Sequence, residues 1–91
     1  MIAFPKLFSA LNRTGAEFLF TELDLALTFM QVADASRVEE TERRNHQNAR
    51  CVYDTVLALL PKVRINDAGH QSIKEKLKLL KKRLEAVGEQ F

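Results

Sequence analysis

The chain has one cysteine, two prolines and three glycines among 91 residues, and each scarcity removes a class of structure. A single thiol cannot close an internal disulfide, so no covalent staple supports the fold. A reducing compartment is compatible with that, and cytoplasmic is the expected location. With so few Gly and Pro, few positions invite turns. The apolar residues are dominated by Leu and Ala rather than by β-branched runs, which disfavours strands. Long apolar runs are missing as well: Glu22 and Asp24 interrupt the greasiest stretch, so no transmembrane segment is expected. The opening "MIAFPKLFSALN" has no basic leader, no continuous apolar core and no small-residue cleavage site, which argues against a signal peptide. A glycine-rich phosphate loop, a nucleophile elbow and a Ser–His–Asp set are also absent. Catalysis is therefore not expected, and no cofactor is implied.

What remains is a composition of 46% apolar and 29% charged residues, ordinary for one small globular domain spanning the chain. Net charge is +2 and unevenly spread. From Pro61 onward the chain carries Lys62, Arg64, Lys74, Lys76, Lys78, Lys81, Lys82 and Arg83 against Asp67, Glu75, Glu85 and Glu89. One end of the molecule should be basic.

Periodicity predicts an all-α antiparallel three-helix bundle with a short N-terminal helical segment. In the first long helix, Ala16–Asp34, residues Leu19, Leu23, Ala26, Met30 and Ala33 repeat at four-three spacing, the stripe of a packed helix. Phe18, Leu25, Phe29 and Val32 lie beside that stripe, and Phe20 with Leu27 extends the apolar arc on its far side. At about 100° per residue the arc covers roughly two-thirds of the circumference, so this helix should be covered on two sides. The second helix, Arg37–Pro61, starts at "SRVE", which has the form of a capping box between Ser36 and Glu39. Its core face is Val38, Ala49, Val52, Tyr53, Val56, Leu57, Leu60 and Val63, and Pro61 should end or bend it. The third helix opens at Asn66 or Asp67 and runs to about Gly88, with Ile73, Leu77, Leu80, Leu84 and Val87 on one narrow stripe. Upstream, Met1–Thr14 forms a segment that stops before Gly15. There Phe4, Leu7, Phe8 and Leu11 are placed to cover the surplus arc, unless a second copy of the protein covers it.

Within "ARCVYDTVLALLP", Ala49, Tyr53, Val56 and Pro61 stand at the spacing of the second helix of a tetratricopeptide repeat, and Leu25, Ala26 and Phe29 in "LALTF" resemble its first helix. The resemblance covers about Glu22 to Pro61. Val56 replaces a smaller residue, "DASRVEETERR" separates the half-motifs, and no second repeat follows. It implies a helix hairpin and, by analogy, a protein-binding role.

Four residue groups are candidates for chemistry. His46 and Cys51 in "ERRNHQNARCVYD" are about 140° apart on a helix, so they cannot form a nucleophile pair or share a metal. Cys51 therefore reads as an inert thiol. The residue three before His46 is Arg43, where a di-iron bundle needs a carboxylate, so no metal site is expected. Glu22 sits inside an apolar arc, where an unpaired charge would be costly, and Arg50 is its expected partner with Tyr53 second. An enzyme using Glu22 and His46 is the weakest alternative. Lastly, "KEKLKLLKKRLE" is a basic amphipathic segment whose Lys74, Lys78, Lys81 and Lys82 form a candidate surface for an anionic partner, nucleic acid or a membrane surface. Interspersed acids and the lack of aromatics disfavour nucleic acid. The function expected first is protein interaction or self-assembly, a dimer included, through Phe4, Leu7, Phe8, Leu11, Phe20 and Leu27.

Overall fold

The computed structural model describes the backbone of residues 4–91 and the side chains of residues 15–91. It is an all-α three-helix bundle: α1 (Phe4–Ala35), α2 (Glu39–Leu59), a single 3₁₀ turn (Leu60–Lys62) and α3 (Asp67–Ala86). The α1 helix packs against both of the others. The stripes predicted from four-three spacing make the core. Leu19, Leu23, Ala26, Met30 and Ala33 of α1 are buried, as are Ala49, Tyr53 and Val56 of α2 and Ile73, Leu77, Leu80 and Leu84 of α3. Leu60 and Val63 close it from below.

The order of the helices is antiparallel. A three-residue link, Ser36–Val38, reverses the chain between α1 and α2. At the opposite end, Val63 reaches back to Gly15. The expectation of a separate N-terminal helical segment that stops before Gly15 is also corrected, because α1 runs through Gly15 without a break. A glycine inside a helix costs about 1 kcal/mol relative to alanine. Here it leaves room for a neighbour: a Cβ at position 15 would overlap Val63 Cγ1 and stand 3.3 Å from Val63 Cβ. The glycine serves close approach, not helix termination. Because the α2–α3 connection lies level with Gly15, the part of α1 before it extends about 16 Å past that connection, at 1.5 Å per residue.

Three helix ends differ in how they are satisfied. At the start of α2 the expected capping box does not form. Val38 occupies the N-cap position with no side-chain cap, and it is 58% exposed rather than part of the core. Ser36 lies two residues too early and instead accepts a hydrogen bond from Val38 N at 3.1 Å, a local turn that competes with capping. Glu39, Glu40 and Glu42 fill the first turn, where the helix dipole favours negative charge. At the start of α3 the expectation holds: the Asn66 side chain accepts from Gly69 N at 2.7 Å. At its end, Gly88 N donates to Glu85 O and Glu89 N donates to Leu84 O, with Gly88 at φ 99°. That pair of bonds is a Schellman cap, and only glycine takes the left-handed position without strain. The cap turns Glu89, Gln90 and Phe91 away from the helix axis and toward α2.

Candidate functional site

The stretch from Glu42 to Asp54 lies within α2, which places its polar side chains on different sides of the helix. Cys51 is free and exposed. His46 is half-buried and lines an open groove of about 810 Å³ between the start of α2 and the end of α3, beside Val38, Glu39, Glu42, Arg43 and Val87. Arg43 and Arg44 are drawn to the same Glu40 carboxylate. These pairs are solvent-exposed and contribute little. Among the described residues no group of three or more His, Cys, Asp or Glu is placed to hold a metal ion. No helix there is long and apolar enough to cross a membrane.

Glu22 and Arg50 do not pair. Glu22 is half-buried, not buried, and makes no ion pair with the described residues. At its place on α1 the side chain reaches the rim of the apolar arc, so the charge needs no internal partner. Arg50 instead meets the residues that follow α3. Its Nε donates to both Asp54 carboxylate oxygens, at 3.2 and 3.3 Å, one helical turn along α2. One terminal nitrogen donates to the Gln90 carbonyl at 2.7 Å and to Glu89 Oε1 at 3.2 Å. The guanidinium carbon sits 3.9 Å from the centre of the Phe91 ring. Tyr53 meets the same ring edge-on, with centroids 5.0 Å apart, and Lys81 Nζ lies 5.4 Å from its centre. Arg50 is thus the hub of the largest polar constellation among the described residues. Sequence reasoning missed it because the partners are 39 and 40 residues away. The only hint in the sequence is a glycine followed by a short polar–aromatic end.

The candidate interaction surface is redistributed by the fold. Phe20 and Leu27 are half-buried and pack against the core. Lys76 sits over the Phe20 ring at 6.0 Å and pairs with Asp24 at 2.6 Å, so α3 covers that side of α1. The apolar side chains left outward on α1 are Leu25, 43% exposed, and Val32, 45% exposed. They come from the stripe that also contains Phe18 and Phe29, both half-buried. The side chains of Phe4, Leu7, Phe8 and Leu11 lie outside the described residues. Leu57 and Val87, expected in the core, are exposed, and Val52 is half-buried. On α3, Lys74, Lys78 and Lys82 are exposed, whereas Lys81 is half-buried beside Phe91.

No protein-family model, no curated protein and no solved structure matches this chain.

Proposed function

We propose that this protein is a small, non-catalytic helical module that associates through the outer face of α1, with a second copy of itself as the partner. The observation that carries this reading is a pair of exposed apolar residues seven apart, Leu25 and Val32, continuing a row through Phe18. Scattered exposed apolar residues are normal on any protein surface. A row at seven-residue spacing is different, because it keeps to one side of a helix and fits a second helix along its length. A helix that outruns its own bundle offers a partner more length than one packed end to end. The tetratricopeptide-like spacing of α1 and α2 belongs to the same proposal, since hairpins of that kind serve protein binding.

Sedimentation equilibrium over a broad concentration range tests it. The expected result is a mass that rises above that of the monomer, and a Leu25→Glu/Val32→Glu variant that stays monomeric with an unchanged helical circular dichroism spectrum. A wild-type chain that is monomeric throughout would remove self-association. The second reading is an anionic partner on α3, favoured by the exposure of Lys74, Lys78 and Lys82 at four-residue spacing with no carboxylate of the described residues in an ion pair with them. Retention on heparin that persists at physiological salt, and is lost when these three lysines are changed to Gln, would favour it over the first.

A further inference from the structure

Glu89, Gln90 and Phe91 pack against Arg50 and Tyr53 of α2 and Lys81 of α3. Asp54 fixes the Arg50 guanidinium from the same helix, through two contacts to Nε. Tyr53 is 8% exposed and belongs to the core, so its ring is held by packing. Lys81 projects from α3 on the other side. Together they make a cradle around the Phe91 ring: a flat cation, an aromatic ring and a second cation. The tail fills it with three separate contacts. A carboxylate and a backbone carbonyl accept from one Arg50 nitrogen, and an aromatic ring lies over the guanidinium face. The order of these groups is set by the chain: acid first, carbonyl next, ring last, with the acid two residues before the ring.

We propose that the Arg50–Tyr53–Lys81 cradle is a docking site for an extended acidic–x–aromatic segment of a partner protein, and that Glu89–Gln90–Phe91 is an internal ligand that such a segment displaces. The recognition follows from the geometry. A guanidinium can donate along its edge while its face stacks on a ring, and a segment lacking either the acid or the aromatic forfeits one of the two. Displacement is feasible because the tail holds on only by its edge. Phe91 is 47% exposed, the Glu89 side chain is 37% exposed, and the three tail residues belong to no helix or strand. Surface contacts of this type are individually weak. What keeps the tail in place is its tether, which raises its effective concentration to the order of millimolar. A partner that adds contacts elsewhere on the surface can outcompete it. The cradle works independently of association through α1, and either can fail alone.

The test uses the full chain and one probe, a fluorescent, N-acetylated and C-amidated peptide Val-Gly-Glu-Gln-Phe. In a Glu89→Ala/Phe91→Ala variant the tail can no longer fill the cradle. This variant is expected to bind the probe saturably, with affinity on the order of tenfold or more above that of the wild type, whose own tail competes. Adding Arg50→Gln should abolish that gain while the helical spectrum and the Tyr53 ring resonances remain. A probe with the middle residues exchanged, Val-Gly-Gln-Glu-Phe, should bind several-fold more weakly. If the vacated variant does not fold, excess probe added to the wild type should still move the Phe91 ring resonances toward those of a free tail. Saturable binding that survives Arg50→Gln would overturn the proposal. So would equal binding of the two probes, or a folded vacated variant that takes up no probe at millimolar concentration.

Discussion

Gly15→Ala offers a sharp test of the packing logic, because helix propensity and tertiary contact predict opposite signs. In an exposed helix interior this change is expected to stabilise by about 1 kcal/mol, since alanine loses less backbone freedom on folding. Here the new Cβ would overlap Val63 Cγ1 and lie 3.3 and 3.4 Å from Val63 Cβ and Cγ2. Relief by rotation is blocked, because a β-branched side chain has few χ1 options and all three Val63 carbons face the intruder. Movement of the backbone is also resisted: Val63 is extended, its N donates to Leu60 O at 3.3 Å, and it belongs to the buried core. Overpacking of this kind costs about 1–3 kcal/mol. Subtracting the propensity gain of about 1 kcal/mol leaves a net loss of up to about 2 kcal/mol. For a domain of this size each kcal/mol moves Tm by about 4–8 °C. Thermal unfolding followed by circular dichroism reads the sign directly. A double-mutant cycle then isolates the contact. Val63→Ala alone should destabilise by roughly 1–2 kcal/mol, from two buried carbons at about 0.8 kcal/mol each. The double variant should recover much of the loss, giving a coupling of about 1 kcal/mol or more. Gly15→Ala raising Tm, or a cycle that closes within about 0.5 kcal/mol, would refute the account of why glycine stands there.

Other expectations follow from the same structure. Leu23→Ala removes a side chain that is 0% exposed at the centre of the core, so denaturant unfolding should show a loss of about 2–5 kcal/mol. Asn66→Ala deletes the hydrogen bond to Gly69 N and should cost about 0.5–2 kcal/mol, whereas Ser36→Ala, which removes a turn contact and no cap, should cost less. Equal losses in the two would mean that Ser36 caps α2 after all. Glu22→Gln should change stability by no more than about 0.5 kcal/mol, as for a rim residue without an ion pair; a loss of several kcal/mol would reinstate a buried partner.

Much of the fold is legible in the sequence for a specific reason. Leu19, Leu23, Ala26, Met30 and Ala33 repeat with the period of the helix, as do Ile73, Leu77, Leu80 and Leu84, and an apolar stripe with that period gives its helix one face to bury. The start of α3 is legible because Asn66 caps through its own local geometry. The α2 start misleads because the same local chemistry, a hydroxyl near a free N–H, serves a turn equally well. Gly15 reads as a stop because glycine usually weakens helices. Nothing near it in the chain indicates that Val63 will arrive against it.

The candidate site is less legible. Phe20 and Leu27 look available because nothing local announces that Lys76 will cover Phe20, and Leu25 and Val32 become the outward pair only once α2 and α3 have chosen their sides of α1. Arg50 has the clearest local choice, Asp54 one turn away, yet its remaining donors go to Glu89 and Gln90. Periodicity is a property of a single helix, so the sequence determined the helices, their buried stripes and the antiparallel order that short links impose. Azimuth, close approach and the destination of the tail depend on how three helices settle against one another. Those were decided by packing, where steric fit between residues far apart in the chain outweighs any preference of the residues themselves.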